Sequence, residues 1–423
     1  MRPCRSSRGS AALLLACLGS IVPGAAGAEE WPDFRGPGGQ GQSATSGLPV
    51  DFGPEQRVGW KVAIPGKGWS TPIVDGGRVF LTTAVPSGED PPARQSLRVL
   101  CLDAASGATL WDKEIFSKDM AQAKSHAKNS FASPSPITDG RLVYVHFGPD
   151  GTAALDRDGA VVWSNDSLRY DPQHGAGSSP VFAGERIVVT ADGVADPFVA
   201  ALDRATGNVA WRTPRPEMPE PKWSFCTPLV IEAAGRTQVV SPAAHMVVSY
   251  DAATGAELWR VRYANKWSVV PRPVFSHGLV LVCTGYDGPA ELLAIRPDGS
   301  GDVTDSHVAW RTDDNIPHNP SPVVVGDQVY LVADNGIASC RDVESGAARW
   351  RQRVGGNFSA SPVHAGGTLW IVSEQGSAVA FRASPEAFER LGGGEMGEAV
   401  FASPAPAEGA MFLRTAGHLY RIQ

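Results

Sequence analysis

Cysteine is scarce in this 423-residue chain. The six present form no CxxC pair and no Cys/His cluster at zinc-ligand spacing, which excludes a structural zinc module and a dithiol redox motif. There is no HExxH run, no GxSxG elbow and no Walker loop, and Gly175-Ala176-Gly177 precedes a strand instead of joining a strand to a helix. Positive charge is in deficit, with 37 Lys and Arg against 44 Asp and Glu and a formal net charge of −7, so nucleic acid is not an expected partner. Beyond the first residues no apolar run reaches the roughly 18 residues of a membrane span. Helical periodicity is missing too: Val323 to Val332 (VVVGDQVYLV) reads as β-branched strands around a Gly turn.

What the chain has in quantity is turns, with 47 Gly and 34 Pro, and a phrase that recurs. Ala201 to Trp211 (ALDRATGNVAW) reappears as Cys101 to Trp111 (CLDAASGATLW) and Ser249 to Trp259 (SYDAATGAELW). Degenerate copies end at Trp163, Trp310 and Trp350, the Trp310 copy interrupted by Pro297 to Asp305, and Trp60 is the tail of one more. In such a phrase Asp accepts hydrogen bonds from the turn, Gly takes the positive φ, and Trp restarts a strand and docks it on the neighbouring copy. A second marker opens each unit: Thr71-Pro72, Ser135-Pro136, Ser179-Pro180, Thr227-Pro228, Arg272-Pro273, Ser321-Pro322, Ser361-Pro362 and Ser403-Pro404. These eight starts predict an all-β, eight-bladed β-propeller of four-stranded antiparallel blades over residues 58–423. The strand around Trp60 lacks a start before it and the Ser403-Pro404 unit lacks a Trp after it, so an N-terminal strand is expected to close the ring.

Residues 1–28 read as a secretory signal: Arg2, Arg5 and Arg8, an apolar stretch from Ala11 to Val22, and a small-residue cleavage site at Ala26-Gly27-Ala28. Cleavage there removes three Arg and no acid, moving the formal charge from −7 to −10, and makes the protein secreted or periplasmic. Lipid attachment at Cys17, within Leu14-Leu15-Ala16-Cys17, is the alternative. Residues 29–57 form a Pro/Gly-rich arm without periodicity, either an extended clamp or a loose leader. Cys101, Cys226, Cys283 and Cys340 remain after cleavage and are expected as small buried residues.

With both markers established, the chain resembles the secreted bacterial pyrroloquinoline-quinone-like repeat propellers, whose blades end in A-x-D-x-x-T-G-x-x-x-W; the opening WPDFRGPGGQG is similar to their leaders. The resemblance implies kinship in fold with the outer-membrane assembly lipoprotein of the β-barrel insertion machine and with quinone-dependent alcohol dehydrogenases. A dehydrogenase of this kind needs a Ca²⁺ site, a catalytic Asp, a Trp platform and often adjacent cysteines. Adjacent cysteines are absent here, and Asp103, Asp156, Asp203, Asp251 and Asp342 are turn residues of the repeat. The acidic runs at Asp156-Arg157-Asp158-Gly159, Asp298 to Asp305 and Asp313-Asp314-Asn315 lack EF-hand spacing, so no metal or cofactor is expected.

Candidate binding residues come just before the unit starts, where the innermost strand of each blade enters the channel. They are Lys67, Trp69, His126, Lys128, Asn129, His174, Lys222, Trp223, Lys266, Trp267, Arg272, His318, Asn319 and Asn357. Basic, amide and indole groups on an acidic protein suit an anionic or polyhydroxy ligand at the channel mouth. Trp60, Trp111, Trp163, Trp211, Trp259, Trp310 and Trp350 are expected to be structural. The expected function is that of a monomeric, non-catalytic scaffold binding an envelope protein or glycan. The alternatives are a quinone-dependent oxidoreductase and an outer-membrane assembly factor.

Overall fold

The computed structural model describes Met1 and residues 29–88, 93–121, 123–264 and 266–423, so the expected secretory signal and Cys17 lie outside the described residues. Eight antiparallel sheets follow one another around a ring. Blade 1 comprises Ile73–Asp75, Arg78–Ser87, Arg94–Asp103 and Thr109–Asp119; blades 2 to 7 repeat that order, with inner strands beginning at Ile137, Val181, Leu229, Val274, Val323 and Val363. Blade 8 takes three strands from the C-terminus and its outermost strand, Val58–Ala63, from the start of the chain. Val58 pairs with Ile422 and Ala63 with His418, so the first propeller strand seals the ring to the last. Among the described residues no helix is long and apolar enough to cross a membrane.

The repeat phrase works as a blade-to-blade rivet. In the turn, Asp203 Oδ1 accepts from the backbone N–H and the hydroxyl of Thr206, both at 2.9 Å. Trp163 of the preceding blade donates its indole N–H to the Arg204 carbonyl in that turn at 3.0 Å. Its ring lies on Gly207, where an added Cβ would come within 2.4 Å, so this glycine is required for space as well as for its φ of +74°. Trp60, Trp111, Trp211 and Trp310 bond in the same way to Ala104, Arg157, Ala252 and Val343. Trp350 reaches the Ser384 carbonyl.

Trp259 departs from the pattern for a reason visible in the sequence. The insertion in the next blade's turn places Gly301–Asp302 as a fifth, parallel strand against Trp259 and Arg260. The Trp259 indole therefore donates to the side-chain oxygen of Gln238 at 2.8 Å, and Gln238 in turn donates to the Pro297 carbonyl of the insertion at 2.9 Å.

The arm is a clamp, and it also plugs the channel. Trp31 exchanges two backbone hydrogen bonds with Val74 of blade 1, and the Pro32 carbonyl accepts from Thr138 of blade 2. Arg35 donates to the carbonyls of Pro362 (2.9 Å) and Pro322 (2.7 Å), at the inner strands of blades 7 and 6. Gln42 and Ser43 then pair in parallel with His364 and Ala365. Further on, Phe52 crosses the outer strand of blade 7 so closely that a Cβ on Gly394 would sit 1.7 Å from its carbonyl oxygen, which explains the glycine run in Arg390–Glu395.

One core histidine makes stability depend on pH. His146, 2% exposed, shares a hydrogen bond with Thr152 through Nδ1 and leaves Nε2 without a partner; burial pushes its pKa down to about 4. Between pH 6.5 and about 4 the unfolded chain gains a proton that the folded chain refuses, so stability is lost as pH falls through that interval. His146→Gln is expected to remove roughly 2 to 3 kcal/mol of that acid sensitivity, read from urea unfolding at pH 7 and pH 4.5. Equal acid sensitivity in both proteins would show that His146 titrates normally.

Candidate functional site at the open channel mouth

The eight unit starts converge into a ring. The backbone N–H of Thr71 donates to Ser135 Oγ (2.9 Å), Ser135 to Ser179 (2.9 Å) and Ser179 to Thr227 Oγ1 (2.9 Å). The same chain runs from Arg272 to Ser321, Ser361 and Ser403, each link 3.0 Å. This is why Ser or Thr precedes Pro in the repeat: the hydroxyl satisfies an inner-strand N–H that no neighbouring strand reaches. The ring is interrupted at Arg272, which has no hydroxyl, and at Thr71, whose Oγ1 is buried without a partner.

Above the ring the channel opens into a cavity of roughly 550 Å³ with Phe34 of the arm among its lining. Strand periodicity picks its walls. The residue two before each start lines it in all eight blades: Trp69, Ser133, Gly177, Phe225, Val270, Asn319, Ser359 and Phe401. Trp69 packs on Phe401 with ring centroids 4.7 Å apart, and its indole nitrogen is buried and unpartnered.

Of the candidates singled out from the sequence, Trp69, His126, Lys128, Asn129, His174, Trp267 and Asn319 line this cavity. Trp223 and His318 stand beside lining residues, Trp223 edge-on to His174 (6.2 Å) and His318 stacked on Tyr286 (4.4 Å). Lys67 is exposed, 5.9 Å from the Trp69 ring. Lys222 pairs with Glu220, Lys266 binds the carbonyls of Asp287 and Pro289, and the Asn357 N–H bonds Gln375. Arg272 is not at the mouth. It occupies a hydroxyl position of the ring itself, and its side chain turns into the plug to pair with Asp33 at 2.7 Å. Reading residues next to a marker without the two-residue alternation of a strand overlooked Phe225 and Phe401 and admitted Lys222 and Lys266; Tyr286, which stands next to no marker, comes from another loop.

The mouth is also less basic than its sequence suggests. Lys128 pairs with Glu374 at 2.7 Å, and the His318 N–H and Asn319 amide are held by Asp334, carboxylates supplied by the turns after the second strands of blades 6 and 7. His174, edge-on to His126 at 5.4 Å, has its pKa lowered by burial and by that neighbour, so it stays neutral at pH 7. The four described cysteines are free and buried, and burial pushes the thiols of Cys101 and Cys340 up to about 12 and about 11.

With this geometry in view, the family described as outer membrane protein assembly factor BamB matches residues 95–352 and 299–385. The chain belongs to that family. A comparison with curated proteins finds no match. Among solved structures it is similar to BamB from Moraxella catarrhalis, with 13% identity, a TM-score of 0.60, and 86% of this chain and 98% of that one covered. It is similar in the same way to the quinohemoprotein alcohol dehydrogenase of Comamonas testosteroni, at 12% identity and a TM-score of 0.66 over 93% of this chain and 80% of that one. A europium-containing methanol dehydrogenase gives 11% identity and a TM-score of 0.64, covering 92% of this chain and 90% of that one. At such identities the likeness is one of fold.

The side chains of this BamB-family propeller do not fit a metal-bound quinone. Among the described residues no three His, Cys, Asp or Glu side chains converge on a metal position, and Glu374 is engaged by Lys128 and by the Ser359 hydroxyl at 2.6 Å.

Proposed function

We propose that this protein is a binding propeller of the cell envelope that holds a segment of an envelope protein or glycan at the open mouth of its channel, without covalent chemistry. The observation that carries the reading is the cavity of roughly 550 Å³, a size suited to one small ligand or one protruding group, walled by Trp69, Phe225, Trp267, Tyr286 and Phe401 beside His126, Asn129 and His174. Aromatic faces with a few directional polar groups bind by stacking and hydrogen bonding. The sequence of residues 1–28, which reads as a secretory signal, and the BamB family support an envelope location.

The test is capture from an envelope extract and a glycan array by wild type and by the double variant Trp267→Ala, His174→Ala. Both side chains line the cavity and neither belongs to the hydroxyl ring. Capture is expected to weaken by roughly tenfold or more, as for loss of a stacking face and a hydrogen bond, with melting shifted little. Undiminished capture would remove the mouth as the site. Dye reduction on adding pyrroloquinoline quinone, Ca²⁺ and an alcohol would establish the oxidoreductase reading in its place.

A further inference from the structure

Resting on the mouth as the binding site, the geometry points to a carboxylate-bearing ligand whose acid group is received at the base of the cavity, by the hydroxyl ring above the arm's arginine plug. The lining side chains Lys128 and His174 do not supply this recognition, because Lys128 is spent on Glu374 and His174 is neutral.

Three observations converge at the base. First, charge is out of balance there. The plug holds two buried guanidiniums, Arg35 and Arg272, with Asp33 as the carboxylate bonded to Arg272; no carboxylate among the described residues pairs with Arg35. Arg35 is held by backbone carbonyls alone among the described residues, those of Pro322 and Pro362, each one residue past a ring serine, and at 3.5 Å that of Gln40, and burial together with Arg272 lowers its pKa to about 9. It remains protonated at neutral pH. A second such group, Arg414, is buried against Ser70 Oγ (2.8 Å) and the Thr82 carbonyl (2.7 Å), next to the ring at Thr71, again with no carboxylate partner among the described residues. Uncompensated buried charge is unfavourable, and an anion lodged nearby relieves it.

Second, the ring offers hydrogen-bond donors. Ser135, Ser179 and Ser403 line the cavity and each accepts a backbone N–H, and among the described residues none of the three hydroxyls has an acceptor for its own proton. Their O–H groups are thus available to oxygen atoms of a ligand. Third, the corner between blades 8 and 1 contains two unsatisfied groups: Thr71 Oγ1, on a residue 1% exposed that lines the cavity, and Trp69 Nε1. Buried polar atoms without partners are uncommon in folded proteins, and a site for an oxygen-rich ligand accounts for both. Arg35 also takes a φ of +72°, a conformation few non-glycine residues adopt, so the arm accepts backbone strain where it delivers this charge. The aromatic walls then suit the body that bears the acid, a sugar ring, an aromatic ring or the last residue of a peptide.

Matched pairs separate these sources. Tryptophan fluorescence, reporting from Trp69 and Trp267, would be titrated with methyl glucuronide against methyl glucoside, benzoate against benzyl alcohol, and an acetylated dipeptide acid against its amide. The acid of at least one pair is expected to bind roughly tenfold tighter than its neutral partner, the advantage shrinking as salt is raised. Thr71→Val should reduce acid binding several-fold without lowering the melting temperature, because the lost hydroxyl has no partner in the fold. Arg35→Met should abolish the preference for the acid and Arg35→Lys should keep part of it. If Arg35→Met does not fold, Thr71→Val and the salt series decide alone. Equal binding of acid and neutral partners, or acid binding indifferent to Thr71→Val and to salt, overturns the carboxylate assignment and leaves the mouth reading standing. That reading falls if capture of envelope material survives Trp267→Ala with His174→Ala.

Discussion

A chain lacking residues 29–62 is expected to aggregate instead of forming a monomeric ring. The deletion strips all but the last residue of Val58–Ala63 from blade 8 and leaves the strand His418–Ile422 as an unpaired edge, a ready template for another chain. It removes Trp60 from the turn of blade 1, where its indole bonds Ala104 and its ring covers Gly107. It also takes Asp33 from the buried Arg272; stranding one member of a buried ion pair costs about 3 to 5 kcal/mol by itself. The glycine groove at Gly392 to Gly394 would be laid bare as well. Light scattering and size-exclusion chromatography give the answer, and a soluble monomer with wild-type melting would refute closure by the arm. Deleting 29–45 alone separates the two roles. That variant keeps the sealing strand and should stay monomeric but melt earlier, with the channel open at both ends.

Trp259→Ala should be the most damaging of the single truncations among the repeat tryptophans. The side chain is 0% exposed, against 9% for Trp211, and Trp111, Trp310 and Trp350 are partly exposed. Truncation of a core aromatic costs roughly 3 to 5 kcal/mol, and here it also deprives Gln238 of the indole donor that helps fix the insertion of blade 5. Trp211→Ala should fall toward the lower end, because it is 9% exposed and its partner is a single backbone carbonyl, that of Ala252. Chemical unfolding measures both. A loss below about 1 kcal/mol for Trp259→Ala would mean that the outer strand tolerates the gap by collapsing onto it.

The architecture was legible in the sequence because it rests on local rules. An Asp and a Ser or Thr three residues on close a turn by themselves, as Asp342 does with Ser345, and those bonds hold the Asp342 carboxyl at about 2. The Trp recurs in the outer strand of every blade but the seventh, where the glycine run of Arg390–Glu395 receives the arm instead, because those blades dock on their neighbours through it, and Trp60 without a start declared where the ring must close. The turn aspartates were rightly assigned to structure on the same ground.

The site was legible only in part. His174 and Trp69 announce themselves beside a marker, but Phe225 and Phe401 become wall residues only once the strand period of two is imposed on all eight starts. Tyr286 enters from a different loop altogether and is brought in by an isolated bridge to Trp267.

The sequence by itself determined the number of blades, the turn chemistry, the docking tryptophans and the origin of the sealing strand, all consequences of interactions within a repeat or between adjacent repeats. Tertiary structure alone decided that the arm plugs the channel, that Arg35 reaches Pro322 and Pro362, and that Lys128 is neutralised by Glu374, 246 residues away. Closing a ring brings eight separated strand starts to one axis, and which charges meet there depends on the directions in which side chains leave those strands. Periodicity sets the strands; only the assembled channel sets their partners.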